Sequence, residues 1–98
     1  MNKIYLSIVL PIYNEEESIK ILYEKINTVL TDSFDQNYQI IYINDGSSDN
    51  TETILNEISK NDKRVKHISF VRNYGQTAAL SAGIDLSEGE IIITLDGD

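Results

Sequence analysis

The chain has 98 residues, of which 41% are hydrophobic and 24% charged, with a net charge of −8 from 8 basic and 16 acidic side chains. That composition suits one small globular domain and argues against a disordered chain. The acidic balance argues against nucleic-acid binding, which needs basic patches facing phosphates, and without cysteine there is neither a disulfide framework nor a thiolate metal site.

The chain reads as strand, helix, strand, helix, strand, helix, strand. Leu6 to Ile12 is rich in Ile, Val and Leu, the pattern of a strand buried on both faces. Pro11 falls at its carboxyl end, where a missing N–H costs little. The surrounding apolar run, Ile4 to Tyr13, is interrupted by Ser7 and Pro11. It is shorter than the roughly 20 residues a membrane span needs, and it lacks the small-residue cleavage site of a signal peptide. Asn14 is expected to cap the next helix, with Glu15, Glu16 and Glu17 in its first turn. Ile19, Leu22, Tyr23, Ile26, Val29 and Leu30 then recur at helical spacing. Thr31-Asp32-Ser33 reads as a loop.

Tyr38 to Ile43 is the second strand, stopped by Asn44-Asp45-Gly46-Ser47-Ser48. Asp49 with Glu52 predicts a capping box for a helix carrying Ile54, Leu55 and Ile58. The basic residues Lys60, Lys63, Arg64, Lys66 and Arg72 read as a solvated connection. Val65 to Val71 is the third strand, with His67, the only histidine, in a packed or surface role. The third helix covers about Gln76 to Leu86, and Gly89 suits its C-terminal stop. Ile91 to Leu95 is the fourth strand, ending in Asp96-Gly97-Asp98.

This alternation implies an α/β fold: a Rossmann-like parallel sheet of strand order 3-2-1-4, with right-handed crossovers and helices on both faces. In that order strands 1 and 4 flank the switch point, where ligands bind outside the strands' carboxyl ends. Pro11 to Glu15, Asn44 to Ser48 and Asp96 to Asp98 all fall at such ends. The pattern therefore brings them together at one crevice.

Asp96 and Asp98 are two oxygen donors flanking a glycine, which suits one hard cation such as Mg²⁺ or Mn²⁺. A bare diphosphate beside them would be repelled by about 4 kcal/mol per unit-charge pair at 4 Å and an effective dielectric near 20. A divalent cation turns that repulsion into bridging attraction and stabilises a departing diphosphate. At the other strand ends, the Asp45 carboxylate can accept from a base imide or a ribose hydroxyl, and Glu15 from a ribose. Tyr13 can lie against a base, Arg72 with Asn73 can reach phosphate, and Gln76 can line the crevice. G-x-G-x-x-G, G-x-x-x-x-G-K-[ST] and G-x-S-x-G do not occur, which argues against dinucleotide oxidoreductases, P-loop enzymes and α/β-hydrolases.

Three stretches together resemble the family-2 inverting glycosyltransferases of the GT-A fold. They are Val9-Leu10-Pro11-Ile12-Tyr13-Asn14-Glu15, Asn44-Asp45-Gly46-Ser47-Ser48-Asp49-Asn50-Thr51 and Asp96-Gly97-Asp98. Arg72-Asn73-Tyr74-Gly75-Gln76, followed by Ala78-Ala79-Leu80-Ser81-Ala82-Gly83-Ile84, is similar to the dolichyl-phosphate mannosyltransferase and bacterial polyprenyl-phosphate glucosyltransferase branch. The resemblance implies a nucleotide-sugar donor bound by Pro11, Tyr13, Glu15, Asp45, Gln76 and Asp96, with Mg²⁺ or Mn²⁺ on Asp96 and Asp98. It also implies a lipid-phosphate or glycan acceptor and a place at the cytoplasmic face of a membrane, with membrane association through parts beyond residue 98. One departure is Asn44, where many relatives are acidic. Residues 1–98 would be the nucleotide-sugar-binding portion of a GT-A domain continuing past Asp98, so no catalytic residue is assigned. The competing expectation is a non-catalytic nucleotide-binding module that forms homo-oligomers through a bare sheet edge.

Overall fold

A computed structural model describes residues 4–34 and 37–95 of the chain. The elements are β1 (Leu6–Ile12), α1 (Ile19–Phe34), β2 (Tyr38–Asn44), α2 (Thr51–Asn61), β3 (Val65–Ser69), α3 (Gln76–Leu86) and β4 (Ile91–Thr94). All three strand pairings are parallel, and the order is β3-β2-β1-β4, as the alternation of elements predicts. Asp96-Gly97-Asp98 lies outside the described residues.

Every residue of β1 and β2 is buried, which is why both strands read as unbroken apolar runs. Their alternate side chains feed two cores. Leu6, Ile8, Leu10 and Ile12 of β1 pack with Ile40 and Tyr42 of β2, under Ile19 and Leu30 of α1 and Leu55 and Ile58 of α2. On the opposite face Ile41 and Ile43 meet Ala79 of α3. The small residues of α3 let it lie close to the sheet. A Cβ at Gly83 would sit 2.3 Å from Cγ1 of the buried Val9. By contrast β4, at the edge, leaves Ile91, Ile92 and Ile93 about two-fifths exposed.

Five local expectations change. Thr31-Asp32-Ser33 is not a loop, because α1 runs on through it to Phe34. Asn14 does not cap α1: the helix begins at Ile19, after a turn in which the Glu15 carbonyl accepts from the Ser18 and Ile19 N–H groups. The Asp49–Glu52 capping box is not formed. Asp49 Oδ1 instead accepts from the Thr51 N–H at 2.9 Å, and Asn50 is the N-cap residue. The third strand ends at Ser69 rather than Val71, because the chain turns there toward the start of α3. Gly89 is not the helix stop. Ser87 is the C-cap, and Gly89 is needed because a Cβ there would lie 2.7 Å from the Ser7 nitrogen and Oγ. That close approach lets the Gly89 N–H donate to Ser7 Oγ, while the Glu88 N–H and the Ser7 hydroxyl both donate to Gln39 Oε1.

At the amino ends of the strands a polar cluster ties both helices on one face to the sheet. Arg64 donates through Nε and Nη2 to the two oxygens of Asp62, at 2.9 and 3.0 Å, and the Tyr23 hydroxyl donates to Asp62 Oδ2. Arg64 Nη1 also reaches the Tyr38 hydroxyl, which donates to Asn27 Oδ1. The predicted solvated basic connection is therefore partly structural, since Lys66 also pairs with Glu88 at 2.7 Å. Burial opposes ionisation of Asp62, yet the bonds from Arg64 and Tyr23 hold its carboxyl below its ordinary 3.8. Burial and the same bond push the Tyr23 phenol up to about 12.

Two outcomes are expected from this packing. Gly83→Ala should lower unfolding stability by about 1–3 kcal/mol through overpacking against Val9, read as a lower denaturant midpoint at unchanged slope. The depressed Asp62 carboxyl contributes stability above its unfolded value near 3.8 that is lost as pH falls through its folded value. Asp62→Asn should therefore cost about 1–3 kcal/mol at pH 7 and should flatten the acid limb of stability as pH falls below the carboxyl's ordinary 3.8.

Candidate functional site

The carboxyl ends of β1 and β2 lie side by side, with Pro11 in register with Ile43 and Ile12 with Asn44. The pairing continues one residue further, as the Asp45 N–H donates to the Ile12 carbonyl at 2.9 Å. Beyond it an open cleft of about 230 Å³ is lined by Pro11, Ile12, Tyr13, Asp45, Asn73, Gly75 and Gln76. Four predicted site residues, Pro11, Tyr13, Asp45 and Gln76, thus come from three separate segments to one cleft. On the other side of β1, the Leu95 N–H donates to the Val9 carbonyl at 2.9 Å. The described part of the fourth strand therefore ends beside the same edge. Asp96 and Asp98 follow it in sequence and lie outside the described residues.

Beside the cleft the loops after β1 and β2 lock to each other. Asn14 adopts the left-handed conformation at φ 52°. Its N–H donates to Ser47 Oγ at 2.9 Å, and its Oδ1 accepts from the Ser48 N–H at 2.8 Å. The next two amides, of Glu15 and Glu16, donate to Thr51 Oγ1 and Asp49 Oδ2. Three consecutive N–H groups are thus satisfied by side chains of the Ser47–Thr51 segment. Burial opposes ionisation of Asp49, but the bonds from Thr51 and Glu16 outweigh it and hold its carboxyl below the usual range. Glu15 does not line the main cleft. It lies on an adjoining hollow with Asn14, Glu16, Glu17, Ser18 and Asp49, and its Oε2 accepts from the Ser18 hydroxyl at 2.7 Å.

Asn44 is buried and fully used: its Nδ2 donates to Ser69 Oγ at 3.1 Å, and its Oδ1 accepts from the Ser47 N–H at 3.1 Å. Asp45 is also buried, and its carboxylate is turned toward the loop before α3. Oδ1 accepts from the Tyr74 N–H at 2.7 Å and Oδ2 from the Gly75 N–H at 3.0 Å.

Gly75 and Ile12 line the cleft although sequence reading did not single them out as site residues. The signal for Gly75 was available: at φ 101° and ψ 162° it occupies backbone space essentially reserved for glycine. It is also the N-cap of α3, and no side chain caps that helix end. Beyond it Tyr74 packs edge-on against Phe70 at 5.5 Å, and the Arg72 guanidinium lies 4.7 Å from the Tyr74 ring centre. His67 lies in β3, where burial lowers its imidazole's basicity, and its Nδ1 has no partner among the described residues. It stands apart from the cleft lining. The described residues contain no cluster of three or more His, Cys, Asp or Glu side chains able to hold a metal.

Comparison with known proteins follows the same lines. Residues 7–98 match the family described as Glycosyl transferase family 2. The chain is 41% identical over 93 residues to a prophage bactoprenol glucosyl transferase homolog of Escherichia coli K12, covering 95% of the chain and 30% of that protein. It is also 41% identical over 93 residues to an undecaprenyl-phosphate 4-deoxy-4-formamido-L-arabinose transferase of Aeromonas hydrophila, covering 94% and 28%. Among solved structures, S. aureus TarS 1-349 in complex with UDP superposes with a TM-score of 0.77 at 25% identity, over 96% of this chain and 27% of that 1-349 chain. A mannosyltransferase from Pyrobaculum calidifontis in complex with GDP-Man and Mn²⁺ shares the fold, with a TM-score of 0.75 at 16% identity, over 98% and 28%. The chain thus spans under a third of the length of the curated relatives named here.

The left-handed Asn14 gives a direct check on how the loops after β1 and β2 lock together. Asn14→Ala should destabilise more than Asn14→Gly, by about 1 kcal/mol, because glycine adopts positive φ without steric cost. Both lose the Ser48 bond, so the difference in denaturant midpoints isolates the backbone term.

Proposed function

The chain belongs to glycosyl transferase family 2, and from that premise we propose that the protein carrying it moves a sugar from a UDP- or GDP-sugar to a polyprenyl phosphate, with inversion. The observation that carries this reading is the convergence of Pro11, Tyr13, Asp45 and Gln76 on one cleft at the carboxyl edge of a parallel sheet. That edge is where α/β folds bind nucleotides. The lipid acceptor is supported by the bactoprenol and undecaprenyl-phosphate relatives, and a nucleoside diphosphate by the UDP held by TarS.

In this reading residues 1–98 are the donor-binding portion of a GT-A domain. The nucleoside enters between Tyr13 and the Asn73–Gln76 loop. The half-exposed Tyr13 ring offers a face to the base. Glu15, on the neighbouring hollow, is in this reading the acceptor for a ribose hydroxyl that reaches past Tyr13. The α3 N-terminus, free of a side-chain cap, directs its positive dipole end at the diphosphate. Pro11 and Ile12 supply an apolar, water-poor floor.

Asp96 and Asp98 would hold Mg²⁺ or Mn²⁺, because an all-carboxylate oxygen donor pair fits a hard cation. Bound there, such an ion supplies charge neutralisation for the diphosphate. A phosphate oxygen of the lipid bonds to the anomeric carbon as the bond from that carbon to the diphosphate oxygen breaks, and the nucleoside diphosphate leaves with the electron pair. The residues described here bind and orient the donor for that displacement. In this reading the lipid acceptor brings the reaction to a membrane, and its cytoplasmic face is the side we propose.

The test is ligand-dependent stability of the full-length protein. A UDP- or GDP-sugar with Mn²⁺ at about 100 times its Kd should stabilise the fold by about 2.7 kcal/mol. Asp98→Ala should remove the Mn²⁺-dependent part of that gain, and Gln76→Ala should weaken it. Stabilisation by neither nucleotide sugar would overturn the donor assignment, and equal Mn²⁺ dependence in Asp98→Ala would overturn the metal assignment.

A further inference from the structure

Asp45 carries an arrangement that a direct nucleotide contact does not require. The residue is only 5% exposed. Burying an ionised carboxylate is costly unless donors surround it, and here the donors are backbone amides. Each carboxylate oxygen takes one N–H from consecutive residues of a single loop, Tyr74 at 2.7 Å and Gly75 at 3.0 Å. Neither oxygen is left without a bond. The Asp45 carbonyl is engaged as well, accepting from Asn73 Nδ2 at 3.3 Å. The next residue completes the contact. Gly46, at φ 75°, lies flat against the same loop: a Cβ there would fall 2.2 Å from the Arg72 carbonyl carbon and 2.4 Å from the Asn73 nitrogen.

The loop held in this way is one wall of the cleft. Asn73, Gly75 and Gln76 line it, and Gly75 hands the chain directly to α3, whose first residue is Gln76. Gly75 alone would leave this wall free to move, since its backbone is the least restricted in the chain.

We propose that Asp45 is a positioning residue, whose carboxylate bridges the Tyr74 and Gly75 amides and so sets the Asn73–Gln76 wall at the spacing a nucleotide needs. The inference rests on the cleft being the donor site. It differs from a base-reading role in its consequence. A residue that reads the base affects one base more than another; a residue that sets the wall affects every nucleotide alike. Only a carboxylate fits. An amide offers one acceptor and one donor, so Asn at this position would face one of the two N–H groups with another N–H.

Hydrogen exchange of the ligand-free, full-length protein tests this without any assumption about the ligand. In Asp45→Asn, exchange at the Tyr74 and Gly75 amides should quicken by about tenfold or more, the scale of a lost charge-assisted bond, while amides of Ile8 to Leu10 and Ile40 to Tyr42 keep their protection. Unchanged exchange at 74 and 75 would overturn the proposal. Should the variant not fold, the wild-type protein gives the answer: the Tyr74 and Gly75 amides, which lie outside every helix and strand, should still exchange slowly because Asp45 holds them, and free exchange at both would be equally fatal. A second arm measures the affinity of UDP and GDP for wild type and Asp45→Asn. Positioning predicts the same fold-loss for each nucleotide that binds the wild type, and a base-selective loss would contradict it. If neither nucleotide binds the wild type while the exchange result holds, the donor reading fails and the clamp stands.

Discussion

Parallel pairing of β1 with β2, in the register that sets Pro11 against Ile43 and Ile12 against Asn44, is the constraint on which the rest of the structure depends. Both strands are buried along their whole length, so a slip of one residue would exchange the side chains facing α1 and α2 for those facing α3. The two faces do not accept such an exchange. One takes Tyr42, Leu10 and Ile40 beneath two helices. The other has room only for Val9, Ile41 and Ile43 beneath the small residues of α3, as the Gly83 contact demonstrates. Once the register is set, the loops after β1 and β2 leave from adjacent points, and the cleft exists because they do.

The loops then lock to each other through side chains acting on backbone amides. Ser47, Asp49 and Thr51 satisfy the amides of residues 14–16, and Asp45 satisfies those of residues 74 and 75. Polar residues at strand ends therefore work first as substitutes for backbone partners that the sheet no longer supplies. The surface left to a ligand is what these contacts frame: the apolar edge of Pro11 and Ile12, the ring of Tyr13, and the start of α3. Among the described residues that line the cleft, Asp45 alone is charged, and two amide bonds turn its carboxylate into the protein, away from an anionic ligand.

The fold was largely legible in the sequence because its signals are periodic. Unbroken apolar runs marked buried parallel strands, and the 3.6-residue spacing of Ile19, Leu22, Tyr23 and Ile26 marked α1. The connection rules gave a parallel sheet with right-handed crossovers, and the Rossmann-like order expected for it is the one observed. Local chemistry was less legible, for a physical reason. Asn14 and Asp49 carry the same side-chain groups whether they cap the helix that follows or bond a loop far away in sequence. Asn14 bonds the Ser48 amide 34 residues away, and Asp49 divides its two oxygens between the Thr51 amide at the start of α2 and the Glu16 amide 33 residues away. Gly89 similarly looked like a helix stop, although its smallness is required by a contact with Ser7 that no local pattern reveals. At the cleft the residue types Pro11, Tyr13, Asp45 and Gln76 were readable, while the direction of the Asp45 carboxylate was not, because it depends on a loop 29 residues on.

The central claim is that the cleft at the carboxyl ends of β1 and β2, closed by the start of α3, receives a nucleoside diphosphate. Backbone amide shift mapping during titration of the full-length protein with UDP, and separately with GDP, tests it most directly. The account predicts that with at least one of them the largest shifts fall on residues 12–13, 45–46 and 73–76, with the start of α3 among them. Shifts confined to the groove between α1 and α2, around Lys20, Tyr23, Glu57 and Asn61, or no saturable shifts with either nucleotide, would contradict it.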